Sequence, residues 1–159
     1  RISFRANDKE YLKLMREKII SIAAGAAKMT GASVDHNDYE NPLDDMVNLT
    51  SLTDICRKNF AAAGIQNFIG KDEYTEAGSS DIGNVSHVCP TLYVELDPEA
   101  GQKLVLHTES ALSIVNSPAA HKKAEQTVEA FILTVYDIVT NKESLADVKK
   151  EFDSCSGIK

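Results

Sequence analysis

Residues 78–107 read GSSDIGNVSHVCPTLYVELDPEAGQKLVLH, and Thr108, Glu109 and Ser110 follow directly. A loop of small residues around Asp81 gives way to His87, Cys89 and Pro90, then to two short apolar runs, 91–96 and 103–106. Apolar runs of this length between turn-forming residues read as strands. The stretch therefore presents His107 at a strand end, facing a Gly/Ser loop. Helical patterns flank it on both sides, and strands alternating with helices make the expected fold class α/β.

Taken outward from that stretch, the loop is the first place where chemistry is legible. Gly78 and Gly83, with Ser79 and Ser80, let the backbone come close to a ligand without Cβ clashes. His107 reads either as a metal ligand, since neutral imidazole binds zinc and similar ions, or as a surface histidine. Asp81 reads either as a carboxylate that orients a ligating histidine or as the cap of a short following helix. Ser79 or Ser80 with Asp81 and His87 supplies the residue types of a hydrolytic triad, but nine residues of one loop align its members poorly and no Gly-x-Ser-x-Gly elbow is present. Cys89 beside His87 hints at a thiol nucleophile, and before Pro90 it reads better as packed and inert.

Upstream, Ile2 and Phe4 alternate with polar residues as in a half-buried strand. Asn7 with Glu10 has capping-box spacing, Leu12, Met15, Ile19, Ile22, Ala26 and Met29 follow at helical spacing, and Gly31 is placed to end the helix. Residues 33–39 read as a second strand, with His36 between carboxylates on a solvated edge. Residues 42–50, around Pro42, read as a linker between a first lobe, 1–41, and a second, 51–159. In the second lobe Thr50 or Ser51 can cap a helix through Ala63 that buries Leu52, Ile55, Cys56 and Phe60, with Gly64 as its stop. Residues 65–69 read as a short strand and 70–80 as a loop. From Ala119 a long helix carries Ala124, Val128, Phe131, Val135 and Ile138 as a stripe that would cover a sheet. A last helix over 144–152 precedes a short tail.

Composition narrows the partners. A net charge of −7 with a pI near 5.1 gives no electrostatic footprint for nucleic acid. No apolar run reaches membrane-spanning length. An apolar fraction of 43% and a charged fraction of 26% are those of a globular chain. Cys56, Cys89 and Cys155 are odd in number and widely spaced, so they spell neither a disulfide framework nor a zinc motif, and a reducing cytoplasm is the expected setting.

GSSDIGNVSHVCPT followed by HTES resembles the C-terminal signature of the metal-dependent amidohydrolases and peptidases that include aminobenzoyl-glutamate hydrolase, carboxypeptidase G and the aminoacylases. The similarity is greatest to the branch with a Gly-Ser-Thr-Asp-x-Gly-Asn-Val-Ser loop. Arg5-Ala6, AGAAKMTG at 23–30, Pro42 and Val47-Asn48 resemble, more loosely, the family's lid domain and its exit. The resemblance implies half of a two-layer ferredoxin-like lid or dimerisation domain over 1–41, and then the C-terminal part of a three-layer α/β/α catalytic domain. It implies that His107 is one ligand of a two-metal centre, zinc or else manganese or cobalt, with Asp81, Ser80 and Gly83 as its supporting loop. Arg5 and Asn48 become substrate contacts, the first because a guanidinium clamps a carboxylate bidentately. The implied substrate is a small molecule with an amide bond next to a free carboxylate: an N-acyl amino acid, a dipeptide or aminobenzoyl-glutamate. The implied partner is a second subunit, through the lid.

The family's upstream elements have no counterpart here. No Glu-Glu pair occurs, so the general base has no match, and the one His-x-Asp, His36-Asn37-Asp38, falls in the lid-like part. The DPEAGQK connection at 97–103 is longer than the family's. The expectation is a C-terminal portion of a longer enzyme, with no catalytic residue of its own and no hydrolysis when alone. A non-catalytic dimerisation or ligand-binding module is the alternative.

Overall fold

Asp8 shows how the first helix begins in the computed structural model, which describes residues 1–68, 78–98, 101 and 104–155. Its carboxylate accepts the Tyr11 backbone N–H at 2.7 Å, which satisfies a donor that the helix itself leaves unpaired. The cap is thus Asp8, one residue later than the Asn7 of the sequence reading. From it runs α1, Lys9–Thr30, which ends at Gly31 in the left-handed conformation with φ 71°. Glu10 in the first turn and Lys28 in the last suit the helix dipole. The remaining helices are α2 (Thr50–Ala62), α3 (Ile82–Ser86), α4 (Glu109–Val115), α5 (Pro118–Thr140) and α6 (Lys142–Cys155).

The chain divides into two compact units, Arg1–Met46 with Gly78–Val85, and Val47–Ala77 with Ser86–Lys159. In the first, α1 buries no residue. Arg16 holds Asp38 with contacts of 2.8 and 3.1 Å, which ties the segment after the helix to its side. Lys9 donates its backbone N–H to the Asp45 carboxylate at 3.1 Å.

The second unit has the core. The aliphatic and aromatic face of α2, Leu52, Cys56 and Phe60, is buried, and α5 approaches it with Thr127, Ala130 and Thr134. Small side chains at these positions let the two helix backbones come close. Phe60 meets Phe131 edge-on at 5.4 Å between centroids. Polar groups at the same seam are matched: Asn59 Nδ2 donates to Thr134 Oγ1 at 3.3 Å and to Asp137 Oδ2 at 3.0 Å. Gln126 donates to the Ala63 carbonyl at 2.8 Å, closing the C-terminal end of α2. A second cluster joins Leu49 and Leu52 to Val148 and Phe152 of α6, with Ile138 at its edge.

Among the described residues no β-ladder is formed. Segment 91–96 still behaves as a strand would: Leu92, Val94 and Leu96 pack on the α2–α5 core, while Tyr93 and Glu95 are exposed. Segments 2–5 and 33–39 are exposed or half-exposed and unpaired with other strands. The end of the 65–69 run, most of the 70–80 loop, the start of the 103–106 run, part of the 97–103 connection and the tail after 155 lie outside the described residues. Helix α4 had no counterpart in the sequence reading, since seven residues give too little periodicity to register.

Candidate functional site

The loop singled out by the sequence is built by its own small polar groups. Ser80 is the hinge of its first turn: its hydroxyl accepts the Ile82 N–H at 3.2 Å and its carbonyl accepts the Gly83 N–H at 3.2 Å, starting α3. The Ser80 hydroxyl lies 3.4 Å from the Asp81 carboxylate, which is exposed. The capping role weighed for Asp81 is taken by its neighbour Ser80.

Gly83 is buried because the backbone of 42–45 passes directly over it, and a Cβ there would run into the Asp44 carbonyl. The close approach anticipated for a ligand is, here, made by the chain itself. Asn84 secures that approach from both sides. Its side-chain oxygen accepts the Asp44 N–H at 3.2 Å, and its amide donates to the Pro42 carbonyl at 3.2 Å. Ser86, 1% exposed, accepts the Val47 N–H at 2.9 Å. Asn84 and Ser86 were not among the candidate residues, although a run of small polar residues after a glycine is the signal that could have found them.

Arg5 is exposed and donates through one guanidinium nitrogen to Ser79 Oγ at 3.1 Å. The structure thus brings together Arg5 and the start of the Gly-Ser-Ser-Asp loop, and a guanidinium has further N–H donors beyond the one used. Asn48 is exposed beside the fully buried Leu49. His107 is exposed, in the left-handed region at φ 61°, a conformation that an L-residue adopts at a cost of about 1 kcal/mol. It precedes Thr108, the residue at the start of α4, whose hydroxyl donates to the Val105 carbonyl at 2.7 Å. Arg5, Ser80, Asp81 and Gly83 belong to the first unit, and Asn48 and His107 to the second.

Catalytic zinc is held by about three protein ligands. Among the described residues, no three of His, Cys, Asp or Glu converge. The described residues therefore do not compose a metal centre by themselves. Cys89 is exposed with its sulfur 3.7 Å from Thr91 Oγ1. Cys56 is buried, and burial pushes its thiol up against a smaller opposing effect of the Thr134 hydroxyl. A thiol so placed packs as a small apolar group.

One group shifted by hydrogen bonding belongs to α6. Glu151 reaches the first turn of α2, taking the Thr50 N–H at 2.7 Å, the Ser51 N–H at 2.8 Å and the Ser51 hydroxyl. Those bonds, the Ser51 hydroxyl foremost, hold its carboxyl below the usual range against the effect of burial. Leu49 stands at the N-cap of α2 with no side-chain bond of its own. The expected cap from Thr50 or Ser51 is replaced by a carboxylate distant in sequence. Among the described residues no helix is long and apolar enough to cross a membrane.

Comparison with known proteins gives one consistent direction. The chain is similar to the Xaa-Arg dipeptidase of Mus musculus, with 28% identity over 151 residues, covering 94% of this chain and 34% of that protein. It is similar to the Xaa-Arg dipeptidase of Homo sapiens at 28% over 155 residues, with the same coverage, 94% and 34%. The chain spans about a third of the length of these curated relatives. No family model matches, and no solved structure matches. The relationship is to peptidases.

Proposed function

We propose that this chain is the C-terminal portion of a longer metal-dependent peptidase or amidohydrolase that cleaves an amide bond next to a free carboxylate. The observation that carries the reading is the similarity to two dipeptidases along 94% of the chain, joined to the HTES and GSSDIGNVS motifs. In the proposal the α/β expectation belongs to the whole protein, where the alternating face of 91–96 joins a sheet. His107 contributes one donor to a metal centre completed by residues outside this chain. Arg5, already bonded to the Gly-Ser-Ser-Asp loop at Ser79, receives the substrate carboxylate, and its planar fork is what a bidentate contact requires. Gly83 and Asn84 keep the loop seated on 42–44, so that Arg5 and the loop stay in register. Asn48 is the second proposed substrate contact. The first substrates to assay are dipeptides ending in arginine, followed by other dipeptides and N-acyl amino acids.

The test is steady-state kinetics of the whole protein on that panel, with Arg5→Lys beside the wild type. The reading expects hydrolysis of at least one class, and a KM raised roughly tenfold in the variant with kcat less affected, as loss of a bidentate contact produces. Hydrolysis of none of them would defeat it. A non-catalytic dimerisation or ligand-binding module is the second reading, and stable self-association of the whole protein with no bound metal is the result that would favour it.

A further inference from the structure

Asn48 is exposed, yet the backbone on both sides of it is pinned. The Val47 N–H donates at 2.9 Å to the hydroxyl of Ser86, a residue only 1% exposed. The Leu49 carbonyl accepts the backbone N–H of Thr53 at 3.0 Å and the Thr53 hydroxyl at 2.8 Å. One residue further on, the Thr50 N–H is taken by Glu151 at 2.7 Å. Leu49 is extended, with φ −103° and ψ 120°, and successive side chains of an extended segment point to opposite sides. Val47 and Leu49 accordingly pack into the cluster of Leu52, Val148 and Phe152, and Asn48 between them faces outward.

A solvated surface residue needs no such anchoring, because loops tolerate a loose backbone. A residue that contacts a substrate does need it, since its geometry must be held by packed and hydrogen-bonded neighbours. An asparagine amide carries two N–H donors and an acceptor oxygen, and its hydrogen bonds weaken steeply when their angles change. The buried Ser86 hydroxyl is the one side-chain group shown to hold the N-terminal side of Asn48. Thr53 holds the C-terminal side.

We propose that Ser86 is a positioning residue: through the Val47 N–H it sets where the Asn48 amide meets the substrate, and Thr53 does the same from the Leu49 side. The inference rests on the hydrolase reading, in which Asn48 contacts substrate, and adds the two hydroxyls that act through it. Steady-state kinetics of the whole protein on the same substrate panel, arranged as a double-mutant cycle, test it. Asn48→Ala should raise KM roughly tenfold and Ser86→Ala roughly fivefold, with kcat changed less in each. In the Asn48→Ala background, Ser86→Ala should change KM by less than about twofold, since nothing is left to position. Thr53→Val keeps the side-chain volume and the backbone bond to Leu49, and should raise KM roughly twofold to threefold, again only when Asn48 is present. Its cycle decides the matter if circular dichroism shows that Ser86→Ala does not fold. A KM effect of equal size in both backgrounds overturns the proposal, as does a folded Ser86→Ala enzyme with the wild-type KM. A wild type that hydrolyses nothing in the panel defeats the hydrolase reading itself, and the positioning role falls with it.

Discussion

Helices α1 and α2 make their helical structure in opposite ways. The 22-residue α1 buries none of its residues, whereas the 13-residue α2 buries Leu52, Cys56, Asn59 and Phe60. The longer helix rests on local devices: the Asp8 cap, the left-handed Gly31 and charges matched to the dipole. The shorter one rests on α5, α6 and a carboxylate from far along the chain. Most helical stability in proteins comes from packing an amphipathic face, so the two should respond very differently to substitution.

The largest difference is expected from side-chain truncation. Phe60→Ala empties a site that is 2% exposed, and should cost about 3–5 kcal/mol in denaturant unfolding. Ile22→Ala on α1, at a residue 70% exposed, should cost less than about 0.5 kcal/mol. Equal losses would break the comparison. Gly83→Ala should cost about 2–3 kcal/mol, because the Asp44 backbone must move. Hydrogen exchange should show the loss at 42–46 and 82–86.

Next comes the long-range cap. Glu151→Gln should destabilise α2 and α6 by about 1–2 kcal/mol. Because the folded carboxyl is held below its ordinary value of 4.5, its contribution is fully present above that value and lost as pH falls through the lower folded one. The variant's stability should therefore fall less steeply on acidification than the wild type's. A pH profile of unfolding parallel to the wild type's would contradict that. The smallest effect sharpens the local side of the comparison: Asp8→Ala should cost about 1 kcal/mol, confined to exchange at the first turn of α1. Loss of protection in α2 as well would show that the two helices are not independent.

These contrasts also mark what the sequence made legible. Apolar periodicity located α1 and α5, and Gly31 was readable as a stop because a left-handed residue there favours glycine. Among the described residues α5 buries a different face from the stripe that periodicity picked out to cover a sheet. Thr127 and Thr134 are buried with their hydroxyls donating to the Lys123 and Ala130 carbonyls at 2.7 Å. Once so satisfied, a threonine can pack like a small apolar side chain, which no hydropathy pattern reports. Glu151 was invisible as a cap because its partners, Thr50 and Ser51, lie a hundred residues away. In the loop, the need for glycine at 83 was readable, but its neighbour, the backbone of Asp44, was not. His107 was singled out by its HTES setting alone, and its left-handed backbone was not readable there.

The most direct test of the hydrolase account is the metal content of the whole protein, wild type and His107→Ala, after dialysis against metal-free buffer. The account predicts bound divalent metal in the wild type and a loss of at least roughly tenfold in affinity in a folded variant. Equal metal content in the two proteins would contradict it.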